Sequence, residues 1–138
     1  DAVYQRLIKE VSATEISRHV LFPGFIGHDD LPAVYSAAAV FVLPTFSEWF
    51  GIPILEALAC GTATVASEHC GALEAVGDAV ITFDPTHPEE IAQALSRILQ
   101  DPGLRALLRE KGMARARACS WEQTADKTLA VYRQACAR

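Results

Sequence analysis

The chain is poor in the features that would mark it for nucleic acid, a lipid surface or an oxidising compartment. Basic residues are outnumbered: 12 Lys and Arg stand against 17 Asp and Glu, for a formal net charge of −5. Such a balance gives no broad attraction to nucleic acid or anionic lipid. Any phosphate it binds has to be met locally, by backbone amides or a single cation. The four cysteines, Cys60, Cys70, Cys119 and Cys136, include no CxxC pair. They read as small buried hydrophobes of a reducing compartment, and their spacing fits neither a disulfide framework nor a zinc site. No apolar run approaches the roughly 18 residues that a membrane span requires, and no signal-peptide pattern opens the chain. Internal repeats, low-complexity segments and linkers are also missing.

What is present is an ordinary globular balance. Apolar residues make up 51% and charged residues 21% of the 138 positions. That is enough apolar surface for a real core, in a length that suits one domain, here residues 1–138. A helix-like pattern is already under way at Asp1, so we expect a piece of a longer chain.

Apolar runs alternate with helical patterns. Leu7, Ile8 and Val11 mark a first helix, and His19-Val20-Leu21-Phe22 reads as a strand stopped by Pro23-Gly24. Asp29 or Asp30 can cap a helix carrying Leu31, Val34 and Tyr35. Val40–Leu43 is wholly apolar, the mark of a strand covered on both faces. Pro53–Ala59 is a short helix closed by Gly61. Thr64–Ala66 and Val80–Phe83 are the next strands, with one or two helical turns at Ala72–Val76 between them. From Pro88 the chain is helical, with new starts at Pro102 and at Ser120. The last helix aligns Trp121, Ala125, Leu129 and Tyr132 on one stripe, which reads as core. Five basic residues between Arg105 and Arg117 read as a solvated face. This alternation implies an α/β domain with a parallel sheet, whose ligands sit at the carboxyl ends of the strands. The loops at Gly24–Ile26, Ser47–Gly51 and Ser67–Gly71 all follow strands and should share that edge.

The stretch with most chemistry is Phe46-Ser47-Glu48-Trp49-Phe50-Gly51-Ile52-Pro53-Ile54-Leu55-Glu56. It sets one acid on a loop and another in the first turn of a helix, with free helix amides between them. Those amides suit phosphate, and carboxylates suit sugar or ribose hydroxyls. The residues alone leave a second reading open. Glu56 favours the helix dipole without any ligand, and Glu48 can be an exposed loop acid. Likewise Gly24-Phe25-Ile26 can offer backbone groups to a nucleobase or be an ordinary turn. His28, His69 and His87 fall in loops and read as surface residues. Glu74 reads as a solvent-facing or capping acid.

In this order and spacing the pieces resemble a known family. Phe22-Pro23-Gly24, Leu31–Tyr35, Leu43-Pro44, Glu48 to Glu56 with seven residues between, Ala57-Leu58-Ala59-Cys60-Gly61, Glu74, Gly77-Asp78-Ala79, Asp84-Pro85 and Ser120-Trp121 carry the likeness. The chain resembles the carboxyl-terminal, donor-binding domain of retaining family 4 (group 1) glycosyltransferases of the two-domain GT-B fold. The resemblance implies a Rossmann-like parallel sheet with flanking helices and closing carboxyl-terminal helices. It implies that Glu48 contacts hydroxyls of the donor sugar and is the catalytic residue of the site, with Phe50, Gly51 and Ile52 giving amides to sugar or diphosphate. Glu56 would hold the ribose, and Phe25 and Ile26 the nucleobase. No metal and no cofactor are implied; the nucleotide diphosphate sugar, of GDP or UDP type, is a substrate. The partners implied are that donor and an amino-terminal acceptor domain of the same hexosyltransferase-type enzyme. Nucleic acid is not among them, membrane contact is indirect, and the location is cytoplasmic or peripheral at the inner face of the membrane.

Two departures stand out. Trp49 occupies a position where the family usually has a small residue, and it either narrows the donor pocket or points away. The family's first two strands, with an Arg and a Lys for the diphosphate, have no match here. They would lie between the His19–Phe22 strand and the Val40–Leu43 strand, in a sheet of order 3-2-1-4-5-6. The segment alone is therefore expected to be inactive. A non-catalytic nucleotide-sugar-binding or interaction module, and a GT-B epimerase, are the alternative functions.

Overall fold

The computed structural model describes residues 2–137. Asp1, where the sequence places a helix already under way, lies outside them. The chain runs through helix α1 (Ala2–Ser12), a 3-10 turn (Glu15–His19), α2 (Leu31–Ala37), β1 (Phe41–Leu43) and α3 (Ile52–Ala59). It continues through β2 (Thr64–Ser67), α4 (Leu73–Val76), a 3-10 turn (Gly77–Ala79) and β3 (Val80–Phe83). Helices α5 (Pro88–Gln100), α6 (Pro102–Arg117) and α7 (Trp121–Cys136) close it. The sheet has three strands in the order β1-β2-β3, all parallel, with Val42 opposite Val65 and Val65 opposite Ile81. This is the α/β architecture expected from the alternation. No helix among the described residues is long and apolar enough to cross a membrane.

The sheet organises two apolar layers. Strand β2 is central and buried along its whole length, so it sends alternate side chains to opposite faces. Ala66 packs with Ile54, Leu58 and Val76 on one face; Val65 packs with Phe83, Ala94, Ile98 and Leu108 on the other. Each large side chain buried here contributes about 1.5–3 kcal/mol of transfer free energy. Polar atoms within these layers are partnered. The Thr62 hydroxyl donates to the Tyr35 carbonyl at 2.6 Å, and the Thr64 hydroxyl to the Thr62 carbonyl at 3.1 Å.

Helix termini follow their sequence signals closely. Asp101 accepts from the Leu104 amide at 2.9 Å, with Pro102 opening α6, and Ser120 accepts from the Gln123 amide at 3.2 Å. At the end of α3 the Gly61 amide bonds the Leu58 carbonyl, and the Thr62 amide bonds that of Ala57. Asp30 sits at the start of α2 but makes no side-chain cap bond.

Four expectations are corrected. His19–Phe22 is not a strand: His19 ends the first 3-10 turn and residues 20–27 have no regular structure. A strand persists only when a neighbour shares its backbone hydrogen bonds, and no described strand lies beside this segment. Phe22 instead sets its ring edge-on against Tyr4 of α1, with centroids 5.9 Å apart. Strand β1 is half-buried, because it forms an edge of the sheet. The cysteines are four free thiols, of which Cys70 is buried, Cys60 half-buried, and Cys119 and Cys136 exposed. Finally, the α7 stripe is not core. Trp121 is 78% exposed, Tyr132 64%, and no residue of α7 is buried. Periodicity reports an amphipathic face, not whether the same chain covers it.

Helices α3 and α6 meet at Gly112, where an added Cβ would lie 2.5 Å from Cδ2 of fully buried Leu58. Lys111 and Arg115, two of the basic residues of α6, turn to Asp78 in the second 3-10 turn. The Lys111 hydrogen bond and charge hold the Asp78 carboxyl below its ordinary value. Two outcomes follow for stability. Gly112→Ala gains up to about 1 kcal/mol of helix propensity but overpacks a buried contact costing about 1–3 kcal/mol. We expect net destabilisation, read as a lower denaturant midpoint. Because folding depresses the Asp78 pKa, its stabilisation is complete above the ordinary value of 3.8 and disappears as pH falls through the lower folded value. Thermal unfolding should therefore separate wild type from Asp78→Asn at pH 7 and bring them together in strong acid.

Candidate functional site

The carboxyl end of β1 leads into the loop of residues 44–51, and α3 starts directly after it. The loop is tied to its neighbour by main chain rather than by side chains. Glu48 forms an isolated parallel bridge with Cys70, and the Gly71 amide donates to the Glu48 carbonyl at 3.0 Å. That approach requires a glycine at 71, since a Cβ there would stand 2.0 Å from the Trp49 carbonyl oxygen. The turn into α3 is made by Gly51 at φ +85°, where an added Cβ would meet the Cys70 sulfur at 2.5 Å. The Cys70 thiol in turn donates to the Phe50 carbonyl at 3.6 Å. Sequence reasoning missed Cys70 and Gly71 as supports of this loop. Their only signal was their place after a strand on the same sheet edge.

The loop leaves specific groups free. Among the described residues no hydrogen bond uses the amides of Gly51 or Ile52, while the Ile54 amide turns back to the Gly51 carbonyl at 2.9 Å. Gly51 is itself buried, and an unpartnered amide in such a place is uncommon. The Phe50 amide makes only a long contact, 3.4 Å, to Oε1 of Glu48. Amides at a helix start also carry the positive end of its dipole.

Glu56 lies one turn into α3, not in its first turn as the sequence places it, because the helix already opens at Ile52. Its Oε2 accepts from the Tyr35 hydroxyl at 3.0 Å. Burial, then the hydrogen bond to Glu56 and its charge, push the Tyr35 pKa up to about 12. The phenol therefore stays a proton donor throughout the neutral range and holds the carboxylate in one orientation. Tyr35 is placed in turn by its ring, edge-on to Phe41 of β1 with centroids 5.5 Å apart. The sequence put Tyr35 on an apolar helix face; its hydroxyl contact with a residue 21 positions away had no local signal.

Three openings surround this helix start. A shallow groove beside Glu56 is lined by His28, Pro32, Tyr35 and Cys60. A second groove is lined by Trp49, Phe50, Gly71, Glu74 and Ala75. An apolar cleft of about 440 Å³ lies between Phe50, Ile52 and Leu55 on one side and Cys119, Trp121 and Thr124 on the other. Glu48, Phe50, Gly51, Ile52 and Glu56 thus gather on one loop and the helix that follows it. Phe25 and Ile26 stand apart: Phe25 is 93% exposed, and among the described residues no hydrogen bond ties either to that loop. His28, two residues on from Ile26, lines the Glu56 groove.

Glu68, His69 and Asp84 bring one potential metal-ligand atom each within 4.8 Å of one another, at the ends of β2 and β3. Asp84 already accepts from the Thr86 amide and hydroxyl at 2.8 and 2.6 Å, and pairs with His87 at 3.0 Å. Those bonds, Thr86 first, hold its carboxyl below the ordinary value.

Comparison with known proteins shows the family and the fold. The family model of "Glycosyl transferases group 1" matches residues 2–115. The O-antigen chain mannosyltransferase B of Escherichia coli is 38% identical over 114 residues, covering 83% of this chain and 30% of that protein. The structure of sucrose-phosphate synthase from Thermosynechococcus elongatus superposes with a TM-score of 0.88 at 34% identity, covering 99% of this chain and 35% of that one. The carboxyl-terminal domain of a group 1 glycosyl transferase (LpcC) from Francisella tularensis gives a TM-score of 0.75 at 26% identity, over 85% of this chain and 62% of that one. The chain spans about 30% of the length of the curated mannosyltransferase that it matches. A family match over most of its length, with this sheet and this helix start, makes the chain a member of the group 1 glycosyl transferases, with the fold of their carboxyl-terminal GT-B domain.

Proposed function

We propose that this chain, residues 1–138, is the donor-binding part of a retaining glycosyltransferase that moves a hexosyl group from a nucleotide diphosphate sugar to a hydroxyl acceptor. The observation that carries the reading is the pair of amides at Gly51 and Ile52, unpartnered among the described residues, set between Glu48, whose main chain is tied to Cys70 and Gly71, and Glu56, whose carboxylate is oriented by Tyr35. A diphosphate satisfies those amides and the helix dipole together. Glu56, oriented by Tyr35, accepts from ribose hydroxyls. Glu48, on the tied loop, accepts from hydroxyls of the donor sugar and is the catalytic residue in the sense that it touches the group being transferred. Phe25 and Ile26 meet the nucleobase through backbone groups.

Retention and a metal-free reaction are extensions of the family resemblance. In that scheme the donor diphosphate takes the proton of the incoming hydroxyl as the bond to the sugar breaks. The net charge of −5 gives no general means of neutralising a diphosphate. We therefore assign further phosphate cations to the first two strands of the family's donor-binding domain, and the acceptor site to an amino-terminal domain of the same enzyme. A cytoplasmic enzyme whose membrane contact is indirect completes the proposal.

Activity assays of the complete protein test this reading. With UDP-glucose and GDP-mannose as donors, Glu48→Ala and Glu56→Ala should each lower kcat/KM about ten- to a hundredfold, the value of one or two charge-assisted hydrogen bonds. Transfer at the wild-type rate in both variants excludes it. The anomeric configuration of the product, read by proton NMR, decides retention. Tyr35→Phe keeps the ring and removes the donor to Glu56. We expect about a fivefold rise in donor KM with little change in kcat, from the loss of about 1 kcal/mol of orienting interaction.

A further inference from the structure

Trp49 is 95% exposed, yet it belongs to a loop whose main chain is held. Its carbonyl lies so close to Gly71 that only glycine fits there, and the preceding residue is bonded to the Gly71 amide. A rigid backbone thus presents a whole indole to solvent. Single exposed apolar residues are common, but this one is not isolated. It shares a groove with half-exposed Phe50, the bare backbone of Gly71 and the exposed carboxylate of Glu74.

We propose that Trp49 and Glu74 form a pyranose subsite, with the indole stacked on the C–H face of a hexopyranosyl ring and the carboxylate accepting from its hydroxyls. A pyranose has an apolar face and a hydroxyl rim, which match an aromatic surface beside an acid. Glu74 repels a second phosphate or any other anion, so the occupant is neutral. Position along the loop points the same way, and here the inference rests on the donor-site reading above. Glu56 and its groove take the ribose end of the donor, and the Gly51 and Ile52 amides take the diphosphate. Trp49 lies on the far side of those amides in the chain, toward the sugar. The ring is either the donor's own sugar or the acceptor sugar placed against it.

Calorimetry on the complete protein separates these sources. In one arm each variant is titrated with UDP, UDP-glucose, GDP and GDP-mannose, and the affinity gained from the sugar moiety is taken as the ratio to its own nucleotide. In the other, methyl α-D-glucopyranoside and methyl α-D-mannopyranoside are titrated into the nucleotide-saturated protein. Trp49→Ala should lose roughly tenfold in one arm, the range of an aromatic contact. Loss in the first arm identifies the donor sugar, and in the second the acceptor. Trp49→Phe should recover most of the loss, and Glu74→Gln should weaken the same arm. If Trp49→Ala equals wild type in both arms while Glu48→Ala is impaired, the subsite is wrong and the donor site stands. A wild-type protein that binds none of these nucleotides overturns both.

Discussion

The amide of Gly71 reaches the carbonyl of Glu48 across 3.0 Å, and the candidate site is arranged around that approach. It joins the loop after β1 to the loop after β2, beyond the end of their regular pairing. It can form only because residue 71 has no Cβ to strike the Trp49 carbonyl. The Cys70 sulfur then fills the space under Gly51 and fixes the left-handed turn that starts α3. Gly51, Cys70 and Gly71 thus act as one unit: a change at any of them moves the amides and acids that face the ligand. Close backbone packing of this kind excludes slack, and slack of about 1 Å is enough to spoil a binding constellation.

The two layers beneath the site explain why it is stiff where it matters. Ile54 and Leu58 anchor α3 against Ala66 and Val76, and α6 presses on Leu58 through Gly112. The helix that supplies Glu56 is therefore held from below, while its first turn stays open to the solvent face. By contrast, α1 and α7 have no buried residue. The groove side of the molecule is organised by the sheet, while α1 and α7 keep large apolar side chains such as Leu7, Trp121 and Tyr132 exposed.

Much of this was legible in local patterns. Pro102 and Ser120 mark helix starts, Gly61 marks a helix end, and the alternation of apolar runs with helical spacing implies a parallel sheet. Each is a short-range rule in which the residue satisfies its own backbone or its immediate neighbours. The failures have one cause. The His19–Phe22 run has strand composition but no partner beside it, and the α7 stripe has core composition but no cover. Composition measures what a segment can bury or pair; only the rest of the molecule decides whether it does.

The site divides along the same line. Amino-acid order alone determined that Glu48 and Glu56 flank a glycine turn into a helix, because turn and helix chemistry are local. Tertiary structure decided what makes that pair usable. Tyr35 reaches Glu56 from 21 residues away, and Cys70 and Gly71 arrive from the next strand. Trp49 is turned outward rather than in. Contacts between segments distant in the chain depend on how the sheet brings its edges together. No spacing within a single segment records that.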